Sequence, residues 1–285
     1  MPPAVSAPPI RRRLVGKALR RYRETQGFTL KDVARMLGCD ASKMSRIETG
    51  ERGIRDQELR ELLDEYGVAD PQQAILAELA DPRGAFGWSR QYADVLPGAW
   101  RDYLILETAA SKLSAYEAQR VPGLLQTRRY ARALAEIDPS LDDNAARERA
   151  TEAVLARQRV IGERRTPVHL VIGQAALHQQ VGSQAVMDEQ LAALAWDAEN
   201  SNTVTMQVMP FESGAHAAAG DGSLAILQVT EAPGLGIVHL GGISGGICLE
   251  GQGDLAAYTR VFEQLRAFAL TPSQSALLLC GLAGN

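Results

Sequence analysis

Within eight residues, Ala41 to Glu48, the chain carries one guanidinium, one ammonium and two hydroxyls on the positions left over once Met44 and Ile47 turn inward. Arg46 can fork onto O6 and N7 of guanine, Ser42 and Ser45 can reach bases or phosphates, and Lys43 suits a phosphate. Ala41 completes this short, polar or cationic face. The chemistry is that of reading a duplex, with no bond to break. Thr29 and Lys31 ahead of it, and Arg11, Arg12 and Arg13 near the start, complete the candidate DNA-binding set. The arginine run can add phosphate contacts or enter a minor groove, although a solvated charge run explains it as well.

Two short helices must position that face. Thr29 is a good N-cap and Asp32 can answer it in a capping box, which predicts a helix from Leu30 to Leu37. Gly38 can take the left-handed conformation that stops it, and Asp40 can cap a second helix from Ala41 to Thr49, ended by Gly50. Val33, Ala34 and Leu37 on the first, and Met44 and Ile47 on the second, make one apolar face each, so the two must pack together. This is a helix-turn-helix, whose second helix can lie in a major groove. The plainer alternative is an αα-hairpin with a solvated polar face.

The run LGCDASKMSRIETG resembles the core of the XRE (Cro/C1-type) DNA-binding domain, over roughly residues 14 to 68. That resemblance implies that Glu48 lies inside the domain and pairs with Arg20 or Arg23. It also marks a departure, because Leu30 stands where many members carry a phosphate-gripping Gln.

Charge distribution supports a nucleic-acid partner. The formal net charge of the 285 residues is −4, yet Arg11 to Gly53 holds twelve Lys or Arg against five Asp or Glu, so the remainder carries eleven net negative charges. A basic module on an acidic body is the electrostatic footprint of a DNA-binding head. The three cysteines, Cys39, Cys248 and Cys280, lie far apart and suit a reducing compartment. No run is long and apolar enough for a signal peptide or a membrane span, so a cytoplasmic, nucleoid-associated protein without membrane contact is expected.

In chain order, residues 1 to 13 are expected to form a disordered basic arm. A helical head of about five helices follows over 14 to 80, then an aromatic linker over 81 to 103, rich in Pro and Gly but holding Phe86, Trp88, Tyr92 and Trp100 and therefore docked. Residues 104 to 285 read as a regulatory, dimerising or partner-binding domain. Its predicted elements are a helix from Leu104 to Tyr116, helices over Arg128 to Ile137 and about Asp142 to Arg164, and a strand over Val168 to Ile172. A helix over Val186 to Trp196 follows, then strands over 203–209, 224–229, 237–240 and 247–249, and closing helices over about Asp254 to Leu270 and Pro272 to Leu282. The fold class is α+β: an all-α head, then a small sheet flanked by helices.

Two motifs suggest catalysis and fail on context. Gly242-Ile-Ser244-Gly-Gly246 matches G-x-S-x-G, but a nucleophile elbow needs a helix after it, and Ile247 to Glu250 reads as another strand. His169, His178, His216 and His239 are dispersed, and His216 with Asp221 is too little for a metal site. No enzyme activity, cofactor or metal is expected.

The body carries a second resemblance. VPGLLQTxxYARA at 121–133 and MPFxxGAH at 209–216 are similar to the C-terminal domain that accompanies an XRE head in actinobacterial regulators, the WhiJ type included. Gln174, Ser223-Leu224 and His239 depart from the common residues there. The resemblance implies a sporulation, developmental or antibiotic-related repressor whose body senses a small-molecule effector or a small companion protein. Two such heads are needed for specificity, so a homodimer on double-stranded DNA with a pseudo-palindromic operator is expected. The competing expectation is an antitoxin-like component that holds a companion protein.

Overall fold

The computed structural model describes residues 9–81, 87–96, 98–220, 222–229, 235–242 and 245–284. Five helices open the described chain: α1 (Ile10–Thr25), α2 (Leu30–Met36), α3 (Ala41–Glu48), α4 (Asp56–Glu65) and α5 (Asp70–Ala80). The capping box at Thr29 forms, with the Asp32 amide donating to Thr29 Oγ1 at 3.2 Å and the Thr29 amide to Asp32 Oδ2 at 2.9 Å. Asp40 caps α3 by accepting from the Lys43 amide at 2.6 Å, and Gly38 turns the corner at φ 59°. Helix α1 crosses the end of α3 very closely. A Cβ at Gly16 would stand 2.5 Å from the carbonyl oxygens of Ile47 and Glu48, so no larger residue fits there without moving one helix.

The arginine run is not an arm. Helix α1 begins at Ile10, which is buried with Leu14 and Val15, and Pro9 precedes it at φ −53°. The apolar side of the first turn anchors it to the core, so Arg11, Arg12 and Arg13 ride on a helix. Residues 1 to 8 lie outside the described residues.

After α5 come α6 (Gly87–Arg90) and α7 (Gly98–Ala109), followed by β1 (Lys112–Glu117), α8 (Arg128–Ile137), α9 (Asn144–Arg164), β2 (Val168–Gly173) and α10 (Gln174–His178). Then come α11 (Gln184–Asn200), β3 (Val204–Met209), β4 (Leu224–Gln228), β5 (Gly236–Leu240), β6 (Ile247–Leu249), α12 (Gln252–Phe268) and α13 (Pro272–Ala283). The expected helix from Leu104 to Tyr116 is therefore corrected: it stops at Ala109, and Lys112 to Glu117 form a strand. KLSAYE has residues that favour a helix, but Leu113 pairs with Val168 on one side and Leu227 on the other, and that pairing overrides local preference.

Among the described residues, six strands make one mixed sheet in the order β3-β2-β1-β4-β5-β6, parallel from β3 to β1 and antiparallel from there on. Alternation divides its faces. Leu113, Leu170, Val208, Leu227 and Ile237 point into the main core, which runs continuously into the head residues Leu14, Leu19 and Leu79. Tyr116, Val171, Ile226 and Val238 form a second core under Leu255, Phe262 and Leu265 of α12.

Head and body touch through α1 and α5, which pack on α7. In the linker, Trp88 and Tyr92 pack against Ala153 and Ala156 of α9, and Trp88 Nε1 donates to Thr108 Oγ1 at 3.3 Å. Phe86 lies outside the described residues.

Candidate nucleic-acid interface

Helix α3 buries Met44 and Ile47 and leaves Ser42 and Arg46 exposed, with Ala41 and Ser45 partly covered. Arg46 Nε donates to the Ser42 carbonyl at 3.4 Å, which lays the guanidinium along its own helix. Among the described residues it has no acidic partner, so its fork is available to a ligand. Arg52 joins it, because the chain doubles back after Gly50 and the Arg52 amide donates to the Arg46 carbonyl at 2.9 Å. Sequence reading left Arg52 out, since nothing in the local pattern shows that turn. Lys31 and Arg12 are exposed, Arg11 is half-buried, and the Thr29 hydroxyl donates to Asp32 Oδ2 at 2.6 Å as part of its cap.

Two of the expected DNA contacts are held elsewhere. Lys43 Nζ lies 2.5 Å from Glu58 Oε1, and this bond, outweighing the cost of partial burial, keeps the Glu58 carboxyl below its ordinary value. Lys43 thus braces α3 against α4. Arg13 is turned toward Glu250 of the body, with Nε donating to Oε1 at 3.0 Å. Neither pairing has a local sequence signature.

The face is held rigid from behind. Arg23 Nε donates to Glu48 Oε1 at 2.6 Å and Nη2 to Oε2 at 3.0 Å, while Nη1 reaches the Phe28 carbonyl at 2.9 Å. Both residues are buried at 8% exposure, so this bidentate pair bolts α3 to α1 inside the head.

The body holds a second polar cluster. The Glu107 carboxylate, 1% exposed, accepts from Arg157 Nε and Nη2 at 2.6 Å each and from the Tyr103 hydroxyl at 2.7 Å. His239 packs on the Tyr103 ring at 4.4 Å between centroids, and its Nε2–H donates to the Gly245 carbonyl at 2.9 Å. On the opposite sheet face, at the carboxyl end of β1, a cleft of about 350 Å³ is lined by Tyr116, Gln119, His216 and Ser223. The Tyr116 hydroxyl and His216 Nε2 stand 3.0 Å apart there. Asp221, Ile243 and Ser244 lie outside the described residues; β6, antiparallel to β5, follows the G-x-S-x-G run.

Burial pushes the imidazoles of His239 and His169 below the ordinary value of 6.5, against the raising effect of their bonds to Gly245 and Gln207. Both are therefore neutral in the fold, and the unfolded chain binds more protons below that value. Their contribution is complete above about pH 6.5 and is lost as pH falls toward the depressed folded values. The melting temperature should accordingly be lower at about pH 5.5 than at about pH 7.5. A flat profile would show that the rings are solvated.

This arrangement defines the class: a helix-turn-helix DNA-binding protein whose head is joined to an α+β body. The chain belongs to the family of the domain of unknown function DUF5753, which matches residues 100–280, and residues 14–76 match a helix-turn-helix domain. No curated protein and no solved structure matches it. No helix among the described residues is long and apolar enough to cross a membrane.

Proposed function

We propose that the protein is a sequence-specific transcriptional regulator of the XRE (Cro/C1-type) and WhiJ-like kind, a repressor that binds a pseudo-palindromic operator as a homodimer. The observation that carries this reading is the exposed, carboxylate-free Arg46 on a capped α3 that Arg23 and Glu48 hold rigid. Ser42, Ser45 and Ala41 lie beside it as secondary readers, and Lys31, Arg12 and Arg52 serve as phosphate contacts. The body responds to a small-molecule effector or a small companion protein, for which the cleft at the end of β1 is the reading's candidate entry point. Domain limits of about 14–80 for the head and about 104–285 for the body go with it.

Arg46→Ala should cost about 1 to 3 kcal/mol on the preferred site and relax one base position, with little change on a scrambled duplex of equal length. Fluorescence-anisotropy titrations of both duplexes measure this. An equal loss on the two would remove Arg46 as a base reader.

A further inference from the structure

The body holds one carboxylate that treats the head as a phosphate would. Glu250 accepts from Arg13 Nε at 3.0 and 3.2 Å and from Arg13 Nη2, and Lys17 Nζ lies 3.1 Å from both its Oε2 and its carbonyl oxygen. Its side chain is 11% exposed and that of Arg13 29%, so solvent screens this pair weakly, whereas the Lys17 contacts, with that side chain 44% exposed, are screened more. Burial alone would raise the Glu250 carboxyl, but the hydrogen bonds and charges of Arg13 and Lys17 outweigh it and hold the group below its ordinary value. The carboxylate is ionised and committed.

Its place in the fold gives the contact a role. Arg13 and Lys17 are four residues apart on one side of α1, beside the end of α3. A Cβ on Gly50, two residues past α3, would lie 2.8 Å from the Arg13 amide nitrogen. An eight-residue helix is about 12 Å long, close to the width of the major groove, so when α3 enters with its first residues at the bases its far end faces a phosphate wall. Arg13 and Lys17 are two of the cations near that end, beside Arg12 and Arg52, and the two that Glu250 holds. An arginine fork takes a carboxylate or a phosphate in the same bidentate manner. Glu250 itself occupies a two-residue junction between β6 and α12, so the sheet and α12 set its position.

The geometry points to Glu250 as an internal competitor for DNA, a carboxylate that occupies Arg13 and Lys17 in place of phosphate and keeps the head below its full affinity. The inference rests on the reading of α3 as the groove-facing helix. Anything that shifts the β6–α12 junction releases two cations to the duplex. Because α12 covers the second core, which includes Tyr116 and Ala218 of the cleft, the clamp and the cleft share one packed layer.

The test uses full-length protein and a random-sequence duplex, with affinity measured between about 50 and 200 mM salt. Glu250→Gln keeps shape and removes charge, so it should bind more tightly at the low end. Its log K against log salt should steepen by about 1.8 for two added phosphate contacts, so that the same change in salt weakens it about tenfold more than the parent. Adding Arg13→Ala and Lys17→Ala to Glu250→Gln should abolish both gains. Identical affinity and slope for the parent and Glu250→Gln, or gains that survive the loss of both cations, would overturn the clamp while leaving DNA binding intact. If neither protein binds duplex at low salt, the DNA reading itself fails, and the clamp with it.

Discussion

Glu48→Ala is expected to cost the head about 3 to 5 kcal/mol, because it strands the Arg23 guanidinium in the interior without its counter-charge. Arg23 is 8% exposed and keeps its bond to the Phe28 carbonyl and a long contact, 3.5 Å, to the exposed Glu24, neither of which replaces the buried bidentate carboxylate. Against a typical total of about 5 to 15 kcal/mol, such a loss leaves much of the head unfolded at working temperature. DNA binding should disappear with it, although Glu48 faces away from the duplex. Glu48→Gln retains hydrogen-bonding capacity and should lose less. Denaturant titration followed by a probe in the head, together with binding to duplex, separates the outcomes: a cost below about 1 kcal/mol, the range of exposed pairs, would mean that the pair is solvated and does not fix α3.

A comparable loss is expected in the body for Glu107→Ala, again about 3 to 5 kcal/mol. The carboxylate serves three donors, two on Arg157 and one on Tyr103, and at 1% exposure it lies away from bulk solvent. The Arg157 guanidinium also lies 5.7 Å from the Trp100 ring and 5.8 Å from the Tyr103 ring, both on α7, so removing its partner disturbs the seat of α7 on α9. Since α7 is where α1 and α5 dock, the head should loosen on the body too. Adding Arg157→Met replaces the stranded charge with apolar volume and should recover much of the loss. Urea midpoints for the single and double variants measure both effects, and a double variant no better than the single one would contradict the desolvation argument.

The comparison of sequence with structure follows range of interaction. The caps of α2 and α3 were legible because Thr29 with Asp32, and Asp40 with the Lys43 amide, act across three residues. That a sheet follows the helical head was legible for a similar reason: apolar residues begin to alternate after Pro167. Strand β1 was not, since its strand character comes from partners more than 50 residues away, Val168 and Leu227, while its own residues suit a helix. The first turn of α1 is hidden in the sequence because the proline-rich run before it masks the buried Ile10, while the helical spacing becomes plain only from Leu14.

The candidate site divides in the same way. Arg46 stands out from local polarity alone, and its exposure in the fold is what that pattern implies. Lys43 and Arg13 look equally available in sequence, but Glu58 and Glu250, 15 and 237 residues away, hold them. Segregated charge reveals a basic head; it does not reveal which of its cations the protein already neutralises.

The most direct measurement is enrichment of a random duplex pool by the full-length protein, followed by sequencing of the retained molecules. Recognition by paired α3 helices predicts a dyad-symmetric motif whose half-site centres lie about 10 to 10.5 base pairs apart, or a multiple of that, and which weakens at one defined base when Arg46 is alanine. Retention without any enriched motif, or a motif that Arg46→Ala leaves unaltered at every position, would contradict the account.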